Sequence, residues 1–225
     1  MRMEKEQMAA MIDHTLLKPE ATRQEIIELC GQARTWKFFS VCVNPRFVAL
    51  AQQELEGSGV QVCTVVGFPL GATTTRQKVI ETLESVENGA TEIDMVMAVG
   101  AAVEGDWEYV TRDIAAVRDA VGEEGILKVI LETCLLSDEQ IVKAVQASMA
   151  AGAEYVKTST GFSRGGATAA HVALMRASAG PDAGVKASGG IRNLAQAREM
   201  IAAGATRLGM SAGISVLKEL MEEAD

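Results

Sequence analysis

The sequence predicts a single (β/α)8 barrel spanning residues 1–225, with a short N-terminal helix ahead of it. Three observations predict this class. Apolar runs too short for helices recur along the chain, amphipathic stretches of helical length separate them, and a short motif repeats. The repeat is Gly89-Ala90-Thr91-Glu92-Ile93-Asp94, Gly152-Ala153-Glu154-Tyr155-Val156-Lys157 and Gly204-Ala205-Thr206-Arg207-Leu208-Gly209. Each copy opens on a helix-ending glycine, turns quickly into an apolar strand, and carries its distinctive residue five positions later. Asp94, Lys157 and Gly209 therefore hold equivalent strand positions.

The first strand, Met11 to Leu17, is the weakest. Stronger runs follow at Phe39–Val43, Val62–Val66, Ile93–Met97, Leu127–Leu131, Tyr155–Lys157, Val185–Ala187 and Leu208–Met210. Rich in Val and Ile and mostly without polar alternation, they read as parallel strands covered on both faces. Helical patterns fill Thr73–Asn88, Trp107–Val121, Ser137–Ala151 and Asn193–Ala203. Thr73 to Thr75 offer caps after the rigid turn Gly67-Phe68-Pro69-Leu70-Gly71, and Ser137 with Gln140 forms a capping-box pattern. Repeated strand-helix alternation implies right-handed β-α-β units, and eight strands suit a closed barrel. With no linker or low-complexity segment dividing the chain, one domain is expected.

Hydrophobic residues make up 48% of the chain and charged residues 23%, enough for a sizeable core, and no apolar stretch approaches the length of a membrane span. The N-terminal Met1-Arg2-Met3-Glu4-Lys5-Glu6-Gln7 lacks the apolar core of a secretion signal, so a cytoplasmic location is expected. With 21 Lys+Arg against 30 Asp+Glu, the net charge of -9 disfavours nucleic acid and anionic lipid as partners. Cys30, Cys42, Cys63 and Cys134 show no metal-ligand spacing with each other or with His14 and His171, so small core residues are expected and no metal. A homo-oligomer, dimer or tetramer, is expected, because exposed helix faces of small barrels often pair.

Lys157 and Lys186 each end an apolar run. A buried ammonium is expensive, and burial beside a second positive charge favours the free amine, the nucleophile that forms a Schiff base with a carbonyl. A strand-end lysine whose head snorkels to solvent is the competing reading of either residue alone. Both together point to amine catalysis at the C-terminal mouth of the barrel, with Asp94 moving protons directly or through water. Lys128, also inside a strand, is expected to support Asp94 or Glu132. Glycine-rich segments after the last three strands suit a phosphate, helped by backbone amides and a forked contact from Arg192. They are Gly161 to Gly166, Gly189 to Arg192, and Gly209 to Gly213; the first two carry Arg164 and Arg192, and the last carries Ser211. Residues alone leave open an aldolase with a longer ketone donor, a pyridoxal-phosphate protein, and a sugar-phosphate-binding barrel without activity.

Long motifs narrow the choice. Asp13-His14-Thr15-Leu16-Leu17, Val41-Cys42-Val43-Asn44-Pro45-Arg46, Val65-Val66-Gly67-Phe68-Pro69 and Glu92-Ile93-Asp94-Met95-Val96 resemble the 2-deoxyribose-5-phosphate aldolase family. So do Lys128-Val129-Ile130-Leu131-Glu132-Thr133, Val156-Lys157-Thr158-Ser159-Thr160-Gly161-Phe162 and Val185-Lys186-Ala187-Ser188-Gly189-Gly190-Ile191-Arg192. The resemblance covers almost the whole chain. It implies a cofactor-free class I aldolase on a TIM barrel, cleaving 2-deoxy-D-ribose 5-phosphate to acetaldehyde and D-glyceraldehyde 3-phosphate in deoxynucleoside catabolism. Lys157 would form the Schiff base, Lys186 would lower its proton affinity, and Asp94 would transfer protons. Gly161, Gly189, Gly190, Arg192, Gly209 and Ser211 would hold phosphate, with Lys128, Cys42 and Thr158 in support. Two departures stand out. Phe162 replaces a phosphate-contacting lysine of some members, and the ending Leu220-Met221-Glu222-Glu223-Ala224-Asp225 lacks the tail tyrosine of others.

Overall fold

The computed structural model describes residues 4–223. Met1 to Met3 of the N-terminal reading, and Ala224 and Asp225 of the tail, lie outside the described residues. Eight strands run β1 (Ile12–Leu16), β2 (Ser40–Val43), β3 (Gln61–Val66), β4 (Glu92–Val96), β5 (Ile126–Ile130), β6 (Tyr155–Lys157), β7 (Gly184–Ser188) and β8 (Arg207–Met210). All pair in parallel in sequence order, and β8 returns to β1 to close the barrel.

A helix follows every strand. The short α1 (Lys5–Ala9) precedes β1, then come α2 (Arg23–Trp36), α3 (Val48–Leu55), α4 (Thr75–Glu87), α5 (Val99–Glu104) and α6 (Trp107–Val121). After β5 lie α7 (Asp138–Ala150), α8 (Ala169–Ala179), α9 (Leu194–Ala202) and α10 (Gly213–Glu222). Side-chain oxygens of Thr22, Thr74, Asp106, Ser137, Thr168 and Asn193 accept bonds from the first-turn amides of their helices. This fixes where each helix begins, because those amides have no partner within the helix. The repeated glycines end α4, α7 and α9 with φ of 103°, 82° and 110° for Gly89, Gly152 and Gly204.

The main core lies between barrel and helices. Ile93, Met95, Leu127, Val129, Val185, Ala187 and Leu208 belong to it, whereas the strand residues between them face the barrel axis. Strands β4, β5, β7 and β8 are covered on both faces, as expected, and their inward faces carry charge: Glu92, Asp94, Lys128, Lys186 and Arg207 project inward and pair with one another. The apolar part of the interior includes a group formed by Leu17, Cys42, Cys63 and Val65 with Phe68 against it.

A second buried ion pair anchors the outer ring. Lys78 of α4 and Asp113 of α6 meet at 2.5 Å with both side chains fully buried, and Thr75 donates to the same carboxylate at 2.7 Å. Gly67, which opens the turn after β3, sits against the Lys78 stem. Replacing Asp113 with alanine strands a buried ammonium, so urea unfolding should show a loss of about 3–5 kcal/mol. The paired change Lys78→Met with Asp113→Leu should recover most of that loss.

Candidate active site

Barrel closure brings seven charged side chains into one cluster, contributed by β1, β4, β5, β6, β7 and β8. Asp94 is its centre. Lys128 Nζ contacts Asp94 Oδ1 at 2.8 Å, while Lys157 Nζ at 2.8 Å and Lys186 Nζ at 2.7 Å share Oδ2. Among the described residues, each of these lysines except Lys157 has a further acidic partner. Lys186 reaches Asp13 at 2.5 Å, and Lys128 reaches Glu92 at 2.6 Å. Arg207 joins the two halves beneath, contacting Asp13 at 2.8 Å and Glu92 at 3.0 Å while lying over the Phe39 ring. Ser40 donates a bond to Asp13 at 2.7 Å.

Register explains the meeting. Asp94 pairs with Lys128 across β4 and β5, Lys157 with Lys186 across β6 and β7, and Lys186 with Arg207 across β7 and β8. Gly209, opposite Ser188, provides the room anticipated from the repeat: a Cβ there would lie 3.0 Å from Lys186 Cε and 3.0 Å from Ser188 Cβ.

Burial alone would push the Asp94 carboxyl up, but the pull of Lys128, Lys157 and Lys186 overrides it and holds the group well below the usual carboxylate range. Burial likewise opposes charge on Lys186, yet Asp13 and Asp94 outweigh it and hold the ammonium above its ordinary value. Lys128 is raised in the same way, with Asp94, Cys63, Glu92 and Asp13 overcoming burial. The ligand-capable atoms of Cys42, Cys63 and Asp94 lie within 4.8 Å of one another, but a metal cation there would face the three ammonium groups already on Asp94.

Above the cluster opens a cavity of about 290 Å³. Of the three lysines on Asp94, Lys157 alone lines it. All six residues expected to hold phosphate, Gly161, Gly189, Gly190, Arg192, Gly209 and Ser211, line the same cavity. The loops after β6 and β7 interlock to form one wall. Ala167 donates its amide to the Ser188 and Gly189 carbonyls at 3.1 and 3.0 Å, and a Cβ on Gly166 would strike the Gly189 oxygen at 2.3 Å. A larger depression at the turn after β3, lined by Gly67 to Leu70 and Glu81, contains none of the expected site residues.

Several expectations need correction. Lys128 serves Asp94 and Glu92, not Glu132, because Glu132 lies past the end of β5 with φ of 55°. Its carboxylate instead accepts the Thr160 hydroxyl and amide. Arg164 turns away from the cavity and donates to the Cys134 carbonyl at 2.9 and 3.2 Å. Thr158 is a strand clasp: its hydroxyl donates to the Ser188 carbonyl and accepts the Ser188 amide, both at 3.1 Å. Cys42 packs in register with Cys63 inside the barrel, and a bond from that neighbour draws its thiol down despite burial.

Asp13, Glu92 and Arg207 of the cluster, and Lys18 and Thr160 of the cavity, escaped the reading of the sequence. The signal that singled out Lys157 and Lys186, a charge inside a short apolar run, was equally present at Asp13, Glu92 and Arg207.

Among relatives, the chain is 57% identical over 210 residues to the deoxyribose-phosphate aldolase of Brevibacillus brevis, covering 93% of this chain and 95% of that protein. It is 54% identical over 211 residues to the deoxyribose-phosphate aldolase of Geobacillus sp., covering 94% and 95%. The solved tetrameric deoxyribose phosphate aldolase of Aeropyrum pernix superposes with a TM-score of 0.92 at 35% identity, covering 99% of this chain and 94% of that one. Residues 7–219 match the family described as DeoC/LacD family aldolase, and the chain belongs to that family.

Proposed function

We propose that this chain is a Schiff-base aldolase that reversibly cleaves 2-deoxy-D-ribose 5-phosphate to acetaldehyde and D-glyceraldehyde 3-phosphate, in deoxyribonucleotide catabolism. One observation carries the reading: the single lysine that joins the buried Asp94 cluster to the cavity shares that cavity with the glycine loops suited to phosphate. Relatives more than half identical, named deoxyribose-phosphate aldolase, support the substrate.

The charge balance of the cluster supports Lys157 as the nucleophile. Lys128, Lys157, Lys186 and Arg207 oppose Asp13, Glu92 and Asp94, an excess of one positive charge. Loss of one proton makes the dry interior neutral. Lys128, Lys186 and Arg207 each contact two carboxylates, and among the described residues Lys157 contacts one. The least tied amine is also the one facing substrate.

Its free amine adds to the C1 aldehyde of the open sugar, and loss of water gives an iminium. The C2–C3 bond then breaks, its electron pair moving toward the iminium nitrogen to leave an enamine while the C3 hydroxyl gives up a proton. Asp94 accepts that proton and passes it to C2, directly or through water. Because its carboxyl is held well below the usual range, it keeps no proton for long. Hydrolysis of the resulting iminium frees acetaldehyde and Lys157. Lys186, held charged by Asp13 and Asp94, shares the Asp94 Oδ2 oxygen with Lys157.

We also assign the protein to the cytoplasm, where its four unpaired cysteines would stay reduced, and to a homo-oligomer. Helix α4 presents Ile80 and Leu83 to solvent, 45% and 52% exposed and three residues apart, as a face suited to pairing.

Incubation with acetaldehyde and borohydride should leave an ethyl group on Lys157, read by peptide mass spectrometry; labelling elsewhere contradicts the assignment. Lys157→Leu should cut turnover by about a thousandfold or more. Lys186→Leu removes the charge that Asp13 and Asp94 hold beside Lys157, so turnover should fall by about tenfold or more; unchanged turnover would count against that role. Arg192→Ala should raise KM for the phosphorylated sugar and spare the unphosphorylated one.

A further inference from the structure

We infer that Lys18 is a specificity-determining residue: the second cation, opposite Arg192, that grips the phosphate of the substrate. The inference rests on the sugar-phosphate reading above for the identity of the anion. Lys18 lies in the loop after β1 and lines the same cavity as Lys157. Strands β7, β8 and β1 are consecutive around the barrel, so Arg192 after β7 and Lys18 after β1 flank Ser211 after β8. An anion resting over the end of β8 would have a positive charge on each side.

The local chain holds Lys18 in place while leaving its amine uncommitted. Asn44, at the end of β2, donates its side-chain amide to the Leu17 carbonyl at 3.2 Å and the Lys18 carbonyl at 3.4 Å. Pro19 follows, which restricts the Lys18 backbone to extended conformations. Leu17 is buried beneath. The acid that senses the Lys18 charge is Glu25, but its carboxylate is committed to the start of α2, accepting the Thr22 amide at 2.7 Å and the Thr22 hydroxyl at 2.8 Å. Neither Lys18 nor Arg192 has an ion pair among the described residues. Phe162, on the third side of the cavity, packs edge-on against Phe68 at 5.2 Å and brings no charge.

A sugar phosphate carries nearly two negative charges at neutral pH, and this protein carries -9. One arginine at the rim leaves part of that ligand charge unmatched, which a second cation supplies. Lysine acts here as a movable point charge, whereas Arg192 can offer a fixed fork.

The test measures kcat and KM of the full chain and of Lys18→Gln and Lys18→Arg with 2-deoxyribose 5-phosphate and with 2-deoxyribose, together with calorimetric binding of inorganic phosphate. Lys18→Gln should raise KM for the phosphorylated sugar about tenfold with kcat within about twofold, and weaken phosphate binding about tenfold. Values for 2-deoxyribose should stay unchanged, and Lys18→Arg should recover most of the loss. Equal loss on both sugars, or no change on either, overturns the inference. Should the unaltered chain cleave neither sugar yet bind phosphate in a Lys18-dependent way, the aldolase reading falls while the assignment of Lys18 as the anion-gripping cation stands.

Discussion

One carboxylate holding three ammonium groups is the interaction on which the rest of the interior depends. Asp94 is fully buried, and an isolated carboxylate there would be severely penalised by the loss of water. Lys128, Lys157 and Lys186 remove the penalty from Asp94 and incur their own, which Glu92 and Asp13 relieve; Arg207 then spans those two. Lys157 is the member whose charge the cluster can lose and stay balanced, because Asp94 keeps Lys128 and Lys186. Buried ionic networks of this kind contribute little net stability over an apolar filling. Their value here is geometric, since strands far apart in the chain are pinned so that, of the cluster's three amines, Lys157 alone faces the cavity.

Much of the fold was legible because its signals are local. The three repeated glycines end helices with left-handed backbone, and the apolar runs that follow sit within a residue or two of the observed strands. Helices α4, α6, α7 and α9 lay where amphipathic patterns and caps placed them. Less legible were α2, α3, α8 and α10, which the alternation required but no individual signal marked out. The inward alternation of Glu92, Asp94, Lys128 and Arg207 was hidden for another reason. In strands of four or five residues, two charges among apolar neighbours do not establish a period.

The site divides along the same line. Lys157, Lys186 and Asp94 drew attention as buried charges, and the glycine loops as backbone shapes; each clue sits in a handful of adjacent residues. Part of what escaped depends on closure of the barrel. Asp13 and Lys18 come from the first strand and its loop, which reach the site only because β8 returns to β1. Of the two partners expected for Lys128, Asp94 holds and Glu132 does not, since the chain turns after β5 and the neighbouring strand supplies both contacts.

The empty position on β8 carries a consequence for how this protein can change. At Gly209 hydrogen stands where any other residue would bring carbon toward the stem of Lys186, a side chain gripped at its far end by two acids. That lysine has no slack to move aside. A mutation adding a single methyl group would therefore act as an electrical perturbation, displacing a charge rather than merely crowding a wall. The catalytic tuning of this barrel is guarded by an atom that is not there, at a site that an inventory of reactive groups would pass over.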